Sequence, residues 1–485
     1  MQKSVAILCA GGPAPGINTV ISTIAKVFLK DGYRVLGIHE GYKNLFNGRA
    51  DVVDIDFHYA AELQELLERA VDRHMIADVP VGVFLSGGLD STTIVALLAK
   101  MKRQDTPTFS IGFDADGPGY LNELDDAKRV AGYFGMDNYS LVVRSNIVDL
   151  LPTVVRSLEE PIADPSTFLT YLISVAAREQ AKVALTGIGG DELFAGYRRY
   201  LGANLVSGLR RVPRTLRDVV RWGAERILAT EESRLGYHMS TFRRLLDAAQ
   251  APHPDAYISM LSYFSPAMKT QLYTPEVQAM LVDHDSAADF RAHFARPVNT
   301  DTLSRIFYLD FMTFLPDNLL LFSDKMSMST SLELRVPLLD LELVQFAAAL
   351  PSSLRLRRLQ MKYLLRKAMT PLLPPFVLSK SKQGFSAPVG MWIRKELRAY
   401  ACDLLSPEVI ARRGLWNEAY VTRLLAEHLA GRREWGYHLF ALMVFELWCR
   451  AFLDSPIAIT WNVAPPPVSF VDTRSQSVAG ADIRG

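Results

Sequence analysis

Cysteine is scarce in this 485-residue chain: Cys9, Cys402 and Cys449 lie far apart, with no Cys-x-x-Cys spacing. That excludes a disulfide framework and a zinc knuckle, and it fits a reducing compartment. A charge excess is missing as well. Lys and Arg number 53 against 52 Asp and Glu, a net charge of +1, so the chain has no general electrostatic attraction for nucleic acid or an anionic membrane. No charged stretch followed by an apolar run and a small-residue cleavage site opens the sequence, and no continuous apolar run is long enough to span a bilayer. Together these absences lead to the expectation of a cytoplasmic protein with no nucleic acid and no membrane among its partners. Apolar residues, in contrast, are plentiful. At 49% of this length they suffice for large cores and for two to four domains.

The stretch that carries most chemical information is Val81 to Ser91, Val-Gly-Val-Phe-Leu-Ser-Gly-Gly-Leu-Asp-Ser. Val81, Val83, Phe84 and Leu85 have strand character, Ser86-Gly87-Gly88 is a tight turn, and a helical pattern starts at Ser91 with Ile94, Val95, Leu97 and Leu98 on one side. Such a turn lets backbone amides close round an anion, and the helix N-terminus adds partial positive charge. The expected guest is a phosphate chain. The turn lacks the Gly-Lys-Ser/Thr ending that grips a γ-phosphate in a Walker A loop.

Downstream the pattern alternates. A strand is expected at Thr108 to Phe113, a helix near Glu123 to Phe134, a strand at Tyr139 to Val143, a helix at Thr167 to Gln180 and a strand at Lys182 to Thr186. Alternation of this kind predicts an α/β fold with a doubly wound, mostly parallel sheet, its ligand site at the C-terminal ends of the strands. A second glycine loop, Thr186-Gly187-Ile188-Gly189-Gly190-Asp191-Glu192-Leu193-Phe194, leaves another such end, so both loops can face one pocket. Adjacent carboxylates after a glycine loop can hold a metal that bridges phosphates, although the same pattern also serves as a plain helix cap. The remainder of the chain reads as mostly helical.

The first loop resembles the PP-loop of the ATP pyrophosphatases, enzymes that split ATP into AMP and pyrophosphate. With the second loop, with Ser331-Leu332-Glu333-Leu334-Arg335-Val336-Pro337-Leu338-Leu339-Asp340 and with Lys380-Ser381-Lys382-Gln383-Gly384-Phe385, the resemblance is to the synthetase domain of asparagine synthetase B, over about Ala60 to Leu453. The resemblance implies a ligase that uses ATP and Mg2+ to adenylate a carboxylate, with aspartate as the default, before an amine captures the acyl group. It implies nucleotide contacts from Leu85, Ser86, Gly87, Gly88, Leu89, Asp90 and Ser91, and from Ile111, Thr186 and Gly187. Asp90 and Asp191 take the magnesium positions. Lys382, Glu333 and Asp191 take the catalytic ones, Lys382 as an ammonium on the phosphates during adenylation. Read as bare residues, Glu333 and Arg335 also form a plausible structural ion pair.

The first fifty-odd residues resemble a different family. Gly11-Gly12-Pro13-Ala14-Pro15-Gly16-Ile17-Asn18, between a strand at Lys3 to Leu8 and a helical pattern at Thr19 to Leu29, is similar to the opening motif of pyrophosphate-dependent phosphofructokinase, as are Gly37, Ile38, Gly41 and Tyr42. The expected organisation is a phosphofructokinase-like βαβ fragment at 1–57, a ligase domain at 58–455 and an extension with a disordered tail at 456–485. Asparagine synthetases normally start with a glutaminase domain whose first residue is a nucleophilic cysteine, and this sequence starts Met1-Gln2-Lys3. The expected partners are therefore a small-molecule carboxylate and an amine donor, with ammonia or a separate glutaminase subunit as the nitrogen source. Ile188 stands where the family places an acidic residue, or a tyrosine in its β-lactam-forming branch, so the amide-forming step is expected to differ. Two alternatives follow: an amide former like the lasso-peptide cyclases or β-lactam synthetases, or a nucleotide-binding protein impaired in transfer.

Overall fold

The computed structural model describes residues 4–7, 34–38, 52–113, 123–143, 147–210, 250–298, 300–380 and 387–454. Near the start, β1 (Ser4–Ile7) pairs in parallel with β2 (Arg34–Ile38), which pairs antiparallel with β3 (Val52–Asp54). The expected helix at Thr19 to Leu29, the expected loop residue Lys382 and the expected tail lie outside the described residues.

Helix α1 (Ile55–His74) follows β3 without a break and runs through the boundary expected at 57/58. Leu63, Leu67, Ala70 and Val71 recur at helical spacing and are fully buried, which fixes the face it turns to the core. The opposite face reaches out by charge. Arg69 and Arg73 pair with Glu342, and Arg73 also with Asp340.

The main sheet is built from β4 (Val81–Phe84), β5 (Thr108–Phe113), β6 (Asn138–Val143), β7 (Val183–Leu185) and β8 (Glu333–Arg335). Its order is β6-β5-β4-β7-β8 and every pairing is parallel. The chain moves from β4 outward to β6, then returns to lay β7 on the other side of β4. This reversal leaves a crevice between β4 and β7, the place where doubly wound sheets bind their ligands.

Successive strand residues face opposite layers. Val183 and Leu185 join one buried cluster and Ala184 the other; Val81 and Val83 join the first while Phe84 packs on the second. The first layer holds α1, α2 (Leu89–Lys100), α3 (Glu123–Phe134) and the helix Tyr363–Met369. The second holds α4 (Ile147–Leu158), α5 (Ser166–Ala177) and the long C-terminal helix Gly436–Phe452. Helix α2 is buried on all sides from Ser91 to Leu98, its hydroxyl residues Ser91, Thr92 and Thr93 included. Helix α4 escaped the sequence pattern because it contains Pro152, a residue that argues against a helix interior.

One helical run, Thr302–Met328, is long and apolar enough to cross a membrane by length and composition, although it is not a continuous apolar run. Asp310, Pro316 and Asp317 interrupt it in the sequence, yet the helix continues through a π-helical turn at Leu315–Leu320. In the fold, Ile306, Leu309, Leu315, Phe322 and Met326 are buried, and the fully buried Asp310 carboxylate is paired with Arg199.

Candidate active site

The turn after β4 is held open by its own hydroxyls. Ser86 Oγ accepts from the Gly88 amide at 3.3 Å, and the Ser86 and Ser91 hydroxyls lie 3.2 Å apart. Gly87 has φ +67, and a Cβ there would lie 2.8 Å from the Asp126 backbone, so only glycine fits. Helix α2 begins at Leu89, two residues earlier than the apolar spacing predicted. The first backbone bond of its ladder runs from the Thr92 amide to the Gly88 carbonyl, which leaves the amides of Leu89, Asp90 and Ser91 at the helix mouth.

The loop after β7 closes directly onto this mouth. A Cβ on Gly187 would lie 2.9 Å from Asp90 Cβ, and one on Gly190 would lie 2.5 Å from the Asp90 carboxylate. The loop then enters the short helix α6 (Gly190–Phe194), whose Glu192 is buried. Glu192 Oε2 accepts from the Gly189 amide at 3.0 Å, and Oε1 accepts from the Tyr197 hydroxyl. Burial and the neighbouring Asp191 charge push the Glu192 carboxyl up to about 7. Burial, with Glu192 and Asp191 close by, also lifts the Tyr197 phenol well above its ordinary value, so it remains a donor. The Tyr197 ring is covered by the Arg199 guanidinium, 3.8 Å from the ring centroid, and Arg199 donates to Asp310 at 2.8 Å. A chain of contacts thus runs from the buried Asp310 to the backbone of the second glycine loop.

Between the two loops lies a cleft of about 400 Å3, a volume within the range of small-molecule sites. Of the residues expected to bind nucleotide, Leu85, Ser86, Gly88, Leu89, Asp90, Ser91, Ile111, Thr186 and Gly187 line it; Gly87 shapes the turn behind it. Asp191 and Ile188 line it too. Glu333 does not. It lies at the opposite end of β8, more than half exposed and paired with Arg335 at 2.7 Å, while Arg335 also donates to the carbonyls of His74 and Ile76. The structure therefore gives Glu333 the structural ion pair, because the strand that carries it points its C-terminal end, and not Glu333, at the cleft. Lys382 lies outside the described residues.

Sequence reasoning missed Lys362. Its side chain is 5% exposed, and its ammonium pairs with both Asp90 and Asp191. Burial alone would lower its pKa, but the two carboxylates outweigh burial and hold it above the ordinary lysine value. Nothing near Lys362 in the sequence marks it; 272 residues separate it from Asp90. Arg366 and Lys380 from the same segment also line the cleft, with Lys380 paired to Asp126 at 2.6 Å.

Asparagine synthase is the family that matches residues 62–450, four-fifths of the sequence. The chain belongs to the asparagine synthase family. Phosphofructokinase matches residues 4–72, reaching beyond the point near Asp56 where its motifs end and overlapping the asparagine synthase match along α1. The chain is 31% identical over 391 residues to asparagine synthetase [glutamine-hydrolyzing] 1 of Bacillus subtilis (80% of this chain, 58% of the relative). It is 32% identical over 398 residues to a putative asparagine synthetase [glutamine-hydrolyzing] of Mycobacterium bovis (82% and 58%). It thus spans somewhat under two-thirds of the length of these curated relatives. Asparagine synthases are carbon–nitrogen ligases that use ATP, and the cleft at the switch point of the sheet is where this chain concentrates the family's motifs.

Magnesium fits the residues present. Asp90 and Asp191 supply oxygen donors, and Asp90 Oδ1 is buried without a hydrogen-bond partner. Among the described residues no cluster of three metal-ligating side chains occurs. A magnesium held there by the two carboxylates would take its remaining ligands from phosphates and water.

Proposed function

We propose that this chain is an ATP-dependent amide-forming ligase that activates a carboxylate as an acyl-adenylate. The observation that carries the reading is the convergence of the β4 and β7 glycine loops on one cleft, with Asp90 packed against the second loop and Lys362 pairing Asp90 and Asp191. The amides of Leu89, Asp90 and Ser91 and the helix dipole of α2 bind the phosphate oxygens and stabilise charge as it moves onto pyrophosphate. Magnesium, held by Asp90 and Asp191, neutralises phosphate charge when bound.

In the first step a substrate carboxylate oxygen attacks the α-phosphorus; the new P–O bond forms as the bond to pyrophosphate breaks. The nitrogen of an amine then attacks the acyl carbon, the bond to AMP breaks, and a proton leaves the nitrogen. Lys362 keeps the two carboxylates together before nucleotide arrives. Tyr197 and Glu192 hold the second loop in register with the first. Lys382 is assigned to the phosphates by its match to the family motif. Ammonia is the simplest acceptor, with a glutaminase as its upstream source.

The test is ATP–pyrophosphate exchange with aspartate and with a panel of other carboxylic acids, followed by mass spectrometry of products formed with ammonium chloride. Carboxylate-dependent exchange supports the proposal. Its absence with every acid defeats it. A second reading, adenylation without amide transfer, is favoured by Ile188: an apolar side chain lines the cleft where an acid/base group would accept the amine proton. Exchange without amide product would support that reading.

A further inference from the structure

The two walls of the cleft differ in chemistry. On one side stand its three cations, Lys362, Arg366 and Lys380, the only ones among the described lining residues. Each is already engaged within the protein. Lys362 pairs with Asp90 and Asp191, Lys380 with Asp126, and the Arg366 guanidinium donates to the carbonyls of Leu378, Met361 and Lys380. On the side of the second core layer, Ile173 and Thr170 of α5, Leu319, Phe322 and Ser323, Leu334 of β8 and Ile188 of the second loop line the cleft with a largely apolar surface. The carboxylate on that side, Asp164, is held by Asn318 Nδ2 at 2.8 Å and by the Ser166 amide at 2.9 Å.

Sheet order places these walls relative to the phosphates. The Ser86 turn follows β4, and Ile111 lies on β5 to one side of it. Ile188 follows β7 and Leu334 lies on β8, one and two places along the sheet in the opposite direction. With the phosphate chain at the β4 turn and the base toward β5, the acyl substrate occupies the β7–β8 side. Aspartate would bring there a second carboxylate and an ammonium. The second carboxylate would meet an apolar wall and the Asp164 charge, which disfavours a buried anion.

We infer that the acyl substrate is a monocarboxylic acid with an apolar body, seated against Ile188, Leu319, Phe322 and Leu334, and that aspartate is a poor substrate. The inference rests on the ligase reading for the position of the phosphates.

The chain with magnesium and α,β-methylene-ATP is titrated calorimetrically with isovalerate, phenylacetate and aspartate. At least one of the first two is expected to bind tighter than aspartate by about tenfold or more, the scale on which apolar pockets discriminate. Ile188→Arg should abolish that preference. Leu334→Asn gives the same readout from a second strand should the first variant misfold. Aspartate binding as tightly as both apolar acids, or no acid binding at all, overturns the inference. So does a loss of nucleotide affinity in these variants without a change in acid preference, since the apolar wall would then hold the base. Exchange with the same acids reads the ligase proposal separately: a bound acid that supports no exchange defeats that proposal and leaves the binding order intact.

Discussion

Replacing Lys362 with methionine removes the positive charge from between two carboxylates while keeping a side chain of similar length. The Lys362 side chain is 5% exposed and those of Asp90 and Asp191 are 15% and 13% exposed, so water screens the two carboxylates poorly once the cation is gone. Breaking a buried ion pair by removing one partner costs about 3–5 kcal/mol. With an unfolding entropy of about 2.1 cal/mol/K per residue, a chain of this length has a ΔS near 1 kcal/mol/K, and the expected drop in Tm is about 3–5 °C. Differential scanning fluorimetry in EDTA measures it. Magnesium should then recover most of the loss in the variant and change the parent chain little, because the ion replaces the missing charge between the same oxygens. A Tm within 1 °C of the parent in EDTA, or the same magnesium response in both proteins, would refute the role given to Lys362.

Glu192→Gln should change the pH profile of stability. The folded carboxyl titrates at about 7, above the 4.5 of a free glutamate, so the folded state holds a proton that the unfolded chain releases. Stability contributed by this group is therefore full below pH 4.5 and falls through about pH 7, by roughly 3 kcal/mol in all. In urea titrations the variant should lose that slope, and an unchanged slope would count against it. Gly87→Ala forces a side chain onto the Asp126 backbone at a left-handed φ; nucleotide affinity by calorimetry should fall at least tenfold, with about 1–3 kcal/mol of stability lost. Asp310→Asn weakens the buried partner of Arg199. Urea denaturation should show about 3–5 kcal/mol lost. Because Arg199 covers Tyr197, KM for ATP should rise as well; an unchanged KM would break the proposed link from Asp310 to the glycine loop.

The sequence was most legible where local chemistry and topology coincide. Ser86-Gly87-Gly88 and Gly187 to Asp191 announce strand-to-helix turns, and the alternating pattern places both at one end of a parallel sheet, as the order β6-β5-β4-β7-β8 bears out. The strand Thr108–Phe113 and the helix Glu123–Phe134 have the predicted ends. Lys362 was illegible because its role depends on a contact across 272 residues, and an isolated lysine in a basic segment looks like a solvated one. Glu333 shows the converse. Its motif places it near the site, but the pairing Val183↔Glu333 sets it at the far end of β8, beside Arg335. Helix α1 starts earlier than expected because its apolar periodicity, clear only from Leu63 onward, gives no sign of where the helix begins.

The central claim is that a carboxylate displaces pyrophosphate from ATP in the cleft between β4 and β7. Carboxyl-18O-labelled acid, incubated with the chain, ATP, magnesium and hydroxylamine as acceptor, tests it most directly by mass spectrometry of the nucleotide released. One 18O in the phosphate of AMP for each hydroxamate formed is the predicted result, and Asp191→Asn should suppress it. Label in orthophosphate with ADP as the nucleotide product, or AMP carrying no label, would contradict the account.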